Sequence, residues 1–191
     1  LRERTGAGMM ACKAALEEAG GDVDAAVEIL RVRGQASAAK RSGRATSEGV
    51  VSSYIHATGK VGVLVEVQSE TDFVARGDDF RDFAYEVALH VAATAPLYVS
   101  AEDVSDDARE AERRVFEQKA RDDGKPDDVV EKIVEGQLGK WTKEVALLEQ
   151  EHVNTDKHEG KTIEELRADV SSKLGENIRI ARFARFVVGE E

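Results

Sequence analysis

Thr71, Asp72, Phe73 and Val74 stand between a run with valine at every second position and a segment with helical apolar spacing. An aromatic side chain therefore occupies a strand-to-helix corner, where connections are normally polar. A phenylalanine in that place can be a wedge offered to a partner, or it can fold back as a staple on its own helix. Groups able to do covalent or metal chemistry are scarcer. Gly160-Lys161-Thr162 ends like a phosphate-cradling loop, but Thr155 stands where such a loop needs glycine, and no apolar strand precedes it. His152 and His158 are six apart in a polar stretch, without the helical spacing or neighbouring thiols of a zinc site, and are expected to face solvent. His90 lies beside the apolar stripe of its helix and reads as a packing histidine, and Cys12 falls on a core stripe where a thiol is inert. With no nucleophile and base, no ligand cluster and no cofactor cradle, the chain reads as a non-enzyme that asks for neither cofactor nor metal.

Composition narrows the field further. Charged residues make up 34% of the 191 and the formal net charge is −11, which disfavours binding that neutralises a phosphate backbone. Direct nucleic-acid binding is therefore not expected. Cys12 is the only cysteine, so an intrachain disulfide is impossible and a reducing compartment is the natural setting. The most apolar stretch, Val61 to Val67, is broken by Glu66 and is far too short to span a bilayer. The expectation is a cytoplasmic protein without membrane contact. The chain begins on Leu1-Arg2-Glu3-Arg4 without an initiator methionine, which reads as the end of a helix with residues missing in front.

The elements that must position the corner emerge from periodicity. Residues 1–34 read as three short helices resembling a ubiquitin-associated-type bundle, with Met9, Cys12, Leu16 and Ala19 on one stripe and Val23, Ala26, Val27 and Leu30 on another, and with Gly34 as the stop. Residues 35–48, carrying Lys40, Arg41 and Arg44 with no acid before Glu48, read as a linker or weak helix. From Gly49 the period becomes two: Val50 to His56 and Val61 to Val67 form a hairpin around Ala57-Thr58-Gly59-Lys60. After the corner comes a helix carrying Phe80, Phe83, Ala84, Val87, Ala88 and Val91, closed by Pro96. Ser105 to Asp123 and Pro126 to Leu148 then predict an antiparallel helical hairpin, its seam Val130, Val134, Leu138, Trp141, Val145 and Leu148 facing mainly Ala108, Ala111, Val115, Phe116 and Ala120. A last helix from Thr162 to Leu174 leads into a strand, Ile178 to Val188, that closes the sheet. The fold class is α+β, with residues 1–34 as a helical domain, 35–48 as linker and 49–191 as a core that includes a protruding helical hairpin at 105–148.

Two stretches carry a resemblance. Leu1-Arg2-Glu3-Arg4-Thr5-Gly6-Ala7-Gly8-Met9-Met10 and Glu70-Thr71-Asp72-Phe73-Val74-Ala75-Arg76-Gly77, in this order, resemble the translation elongation factor Ts family, the guanine-nucleotide exchange factors of elongation factor Tu. Gly124-Lys125-Pro126, Ile133-Val134-Glu135-Gly136 and Lys173-Leu174-Gly175-Glu176-Asn177-Ile178 extend the similarity over nearly the whole chain, in the manner of the family's short form. Ser69, Ala11 and Gly77 depart from the family's usual residues, and none of these departures falls on Thr71, Asp72, Phe73 or Val74 themselves.

The resemblance implies partner-binding roles. Asp72 and Phe73 match the residues that enter elongation factor Tu beside its magnesium and phosphate site, while Thr71 and Val74 would hold the corner and Thr71 or Asp72 would cap the next helix. Met9 and Met10 offer a second contact; since consecutive helical residues point about 100° apart, Met9 is expected in the core stripe and Met10 outside it. Arg2 aligns with an arginine of the family's contact surface, and His56 with a histidine near the partner that belongs to the second unit of the family's long forms. The implied partner is elongation factor Tu, both GDP-bound and nucleotide-free, and one core unit can act alone or pair as a homodimer through its closing sheet. The competing reading is an interaction scaffold without exchange activity.

Overall fold

The computed structural model describes residues 1–190, with α1 Arg2–Thr5, α2 Met9–Glu18, α3 Val23–Arg41, β1 Glu48–Ile55, β2 Val61–Ser69, α4 Asp72–Ala75 and α5 Asp78–Thr94 in its first half. Beyond these come α6 Asp106–Asp122, α7 Asp127–Val145, α8 Thr155–His158, α9 Ile163–Leu174 and β3 Arg179–Val187. The chain forms two compact units: residues 1–92 with the chain from Glu164 onward, and Ala93–Ile163. N-terminal helices, a small antiparallel sheet and further helices make the fold α+β, as the sequence predicts.

In the larger unit β2 is central, with β1 and β3 antiparallel on either side. Alternation along β2 buries Val63, Val65, Val67 and Ser69 and turns Leu64 outward, as the period of two requires. Gly49 pairs with Gln68 at φ +154°, where an added Cβ would lie 2.2 Å from the Val67 carbonyl oxygen, so only glycine admits the close approach of β1. Helix α5 buries Phe80, Phe83, Ala84, Val87, Ala88 and Val91, and Arg185 of β3 donates to the Ala92 carbonyl at 3.4 Å. Helices α2 and α3 share a small core of Cys12, Ala15, Ala26 and Leu30, against which Leu1 and Ala7, on either side of α1, pack.

Helix α3 differs from the sequence reading at its C-terminal end. It runs through Gly34 to Arg41, because Ala38 is buried, Gly34 lies against Ser172 of α9, and Arg41 donates to the Ser171 carbonyl at 3.4 Å. Tertiary packing outweighs a glycine whose cost in a helix is about 1 kcal/mol. At its start Val23 is exposed, while Asp22 caps the helix by accepting from the Asp24 and Ala25 N–H groups at 2.9 and 3.0 Å.

The smaller unit is built on α6 and α7. Arg113 pairs with Glu135 at 2.5 Å, and Ala120 shares a core with Val130, Val134 and Leu138, so the two helices run antiparallel. Helix α6 stops at a glycine: with Gly124 at φ +70°, the Lys125 and Gly124 N–H groups return to the Ala120 and Arg121 carbonyls. Of the anchors expected on α6, Phe116 and Ala120 face the seam, but Val115 is exposed. Helix α7 ends at Val145 rather than Leu148, since the Val145 carbonyl accepts from Leu97 and Tyr98 and the Leu147 N–H donates to Tyr98. Among the described residues no helix is long and apolar enough to cross a membrane.

Candidate partner-binding site

The corner is a single helical turn, α4, and its exposure pattern is sharply divided. Val74 and Ala75 are buried, whereas Phe73 is 84% exposed. Successive helical residues rotate by about 100°, so seating Val74 in the core throws Phe73 outward. Burial of a valine side chain is worth about 1.5–3 kcal/mol and anchors the turn. Phe73 is therefore not the staple that its position also allowed. Thr71 is the N-cap: extended at φ −127° and ψ 154°, it accepts the Val74 N–H on its hydroxyl at 3.4 Å. Asp72, beside Phe73, pairs with Arg76 at 2.9 Å, an exposed i,i+4 contact that is easily surrendered.

Behind the corner lies a set of polar contacts that the sequence reading did not assign. Glu176, in the loop before β3, accepts the Glu70 and Thr71 N–H groups on Oε2 at 3.1 and 3.0 Å and the Thr71 hydroxyl on Oε1 at 2.6 Å. Glu70 answers it, accepting the Asn177 N–H at 2.6 Å and the Arg44 guanidinium at 3.3 Å. The Asn177 N–H bond is the main reason the Glu70 carboxyl is held below its ordinary value, with Arg44 contributing and partial burial opposing. Asn177 further donates to the Ser42 and Arg44 carbonyls, and the Ser69 hydroxyl donates to the Thr71 carbonyl at 3.0 Å. The signal that could have found this set was present: Gly175-Glu176-Asn177 is a polar break immediately before an apolar strand.

The remaining expected residues lie elsewhere. Met9 and Met10, 70% and 74% exposed, both face outward, so Met9 does not join the core stripe as expected. Its place above Cys12 is taken by Ala7, which packs on that core and whose carbonyl accepts the Cys12 thiol at 3.5 Å. Arg2 is also exposed, on α1. His56 is exposed just past β1, with Nδ1 3.2 Å from the Tyr54 hydroxyl. Glu48, at the other end of that strand, is the residue paired beside the corner, so His56 stands roughly 25 Å from Phe73 by strand rise.

His90, His152, His158, Cys12 and the Gly160-Lys161-Thr162 turn are all packed into the fold. His152, expected in solvent, is fully buried: its Nδ1 accepts the Asn154 N–H at 3.1 Å, and the half-buried His158 ring lies edge-on at 4.2 Å. The Gly160-Lys161-Thr162 turn pairs back onto the same segment, with the His152 N–H donating to the Lys161 carbonyl at 2.9 Å and Glu151 bridging Thr162. His90 is buried on α5 and Cys12 in its helical core.

Known proteins are similar in sequence to this chain over its whole length. The model of the family described as Elongation factor TS matches residues 24–190. Over the whole of this chain it is 54% identical to the Elongation factor Ts of Nitratidesulfovibrio vulgaris, covering 94% of that relative, and 53% identical to that of Carboxydothermus hydrogenoformans, covering 86%. The Elongation factor Ts of Thermosipho melanesiensis is 47% identical, with 95% of its length covered. The chain belongs to the elongation factor Ts family and is thus of the translation elongation factors.

Proposed function

We propose that this chain is a guanine-nucleotide exchange factor: it binds elongation factor Tu carrying GDP, disturbs the partner's magnesium and phosphate site, and holds the empty form until GTP enters. The observation that carries the reading is Phe73, exposed on a turn whose neighbours are buried and capped. A phenyl ring left in water forgoes about 1.5–3 kcal/mol that burial would give, so its place at the corner is explained by a partner rather than by the fold. Inserted between partner helices, Phe73 displaces the groups that hold the metal, and Asp72 brings a negative charge beside phosphates that have just lost their counter-charge. Met9, Met10 and Arg2 supply docking contacts away from the corner. His56 stands at the far end of the hairpin and is a peripheral contact. No bond is made or broken, so the activity needs no nucleophile and the protein is not an enzyme. Whatever weakens nucleotide binding is itself weakened by nucleotide, which releases the factor once GTP binds.

The setting is the cytoplasm, where elongation works, and the pairing of copies is through the outer face of the sheet. There Val51, Ile55, Leu64 and Phe186 are exposed together across all three strands, an apolar face that a two-fold axis can match to itself. Sedimentation at increasing concentration should show dimers that Phe186→Glu abolishes; a monomer at all concentrations would contradict the pairing. The exchange reading is tested by following labelled GDP leaving purified elongation factor Tu, which this chain should accelerate many-fold at catalytic amounts. Release at the spontaneous rate would favour the scaffold reading instead.

A further inference from the structure

We infer that Glu176 is the positioning residue of the corner, fixing Thr71 and through it the direction in which Phe73 points. The inference rests on Phe73 acting as the wedge. The pairing of β2 with β1 ends at Ser69 opposite Glu48, so Glu70 and Thr71 lie beyond the last paired residue of that ladder. The next element, α4, is a helix of only four residues, and an isolated turn is unfavourable in water because several dihedrals are fixed for one hydrogen bond. The order of the corner must therefore be supplied from outside it.

Glu176 supplies it from more than a hundred residues further along the chain. One carboxylate oxygen takes the Glu70 and Thr71 N–H groups, and the other takes the Thr71 hydroxyl at 2.6 Å. That last bond sets the polarity of the cap. A hydroxyl that donates to Glu176 keeps its lone pairs for the Val74 N–H, so helix α4 is started by a group that Glu176 has oriented. The loop that carries Glu176 is itself tied down: the Ser171 hydroxyl donates to the Glu176 carbonyl at 2.6 Å, and Asn177 is held by Glu70 and by the Ser42 and Arg44 carbonyls. Glu70 and Glu176 thus clasp the two segments reciprocally, each carboxylate on the backbone of the other's loop. Thr71 is the residue through which the clasp acts on Phe73, which is left free to meet a partner. Order arranged in advance is order that need not be established during exchange.

Four variants of the full chain test this: two single changes at Glu176, Phe73→Ala, and Phe73→Ala combined with Glu176→Ala. In Glu176→Ala, GDP release from elongation factor Tu at saturating factor should fall about fivefold or more while the titration midpoint stays within about twofold, because docking surfaces remote from the corner are untouched. Glu176→Gln keeps an oxygen facing the two N–H groups and turns its amide N–H toward the Thr71 hydroxyl, whose other lone pair still accepts the Val74 N–H, so release should return to within about twofold of the parent. In the free factor, amide exchange at Glu70 and Thr71 should quicken about tenfold or more in the alanine variant and stay near the parent in the glutamine one. In a Phe73→Ala background, adding Glu176→Ala should lower release no further, since one residue acts through the other. An alanine variant that exchanges like the parent, one that fails to fold, or alanine and glutamine variants equally impaired would overturn the inference; the last would mean that Glu176 meets the partner directly. If Phe73→Ala alone leaves exchange intact, the wedge reading falls, while the amide measurement still reports whether Glu176 holds the corner.

Discussion

At the scale of single residues, exposure separates two kinds of contact that the sequence presents alike. Phe73 sits on a turn anchored in the core, where an inserted ring can transmit displacement. Met10 lies on the surface of a small helical bundle and can add only apolar docking area. Met10→Ala is therefore expected to shift the midpoint of a factor titration severalfold without changing the exchange rate at saturation, because uniform binding is lost and distortion is not. A lowered plateau would contradict that division. Glu70 gives a prediction in pH. Its folded carboxyl titrates below the ordinary 4.5, so its contribution to stability is fully present above that value and is lost as pH falls through the lowered folded value. Glu70→Gln should flatten the acid limb of a stability-against-pH curve below about pH 5. An unchanged acid limb would show that its bonds to Asn177 and Arg44 carry no linkage.

At the scale of elements, what determines success of the sequence reading is whether the cause is local. Valines at every second position in β2 and the Gly124 stop before α7 are written in neighbouring residues and were legible, while the cap was narrowed only to Thr71 or Asp72. The continuation of α3 past Gly34 was not, because its cause is a helix more than a hundred residues away, at Ser171 and Ser172. The same holds for Glu176, whose role exists only once its loop is brought beside Thr71. Burial of His152 was likewise hidden, because a polar neighbourhood in sequence gave no sign of the fold-back that encloses it. Gly49 shows the sharpest element-level constraint. Gly49→Ala would force a Cβ against the Val67 carbonyl and should destabilise the sheet by about 1–3 kcal/mol, seen as a lower urea midpoint with an unchanged slope. A variant as stable as the parent would mean that β1 can shift without cost.

At the scale of the whole molecule, the chain divides into a unit that carries the corner and a unit built on the α6 and α7 hairpin. The hairpin core rests on few large side chains, with Phe116 the main one that α6 contributes, so its Gly124-Lys125-Pro126 tip should show faster amide exchange than the sheet. Replacing the tip half of the hairpin with a short Gly/Ser turn should leave exchange within a few-fold of the parent, and a collapse of exchange in a correctly folded trimmed chain would move the activity to the hairpin. The central claim is narrower: an exposed aromatic ring, held on a capped turn, drives nucleotide release. Stopped-flow release of labelled GDP from elongation factor Tu, at saturating Phe73→Ala and parent factor of equal thermal stability, tests it most directly. Release should be slowed about tenfold or more by the variant with its fold intact; equal rates at saturation would contradict the claim.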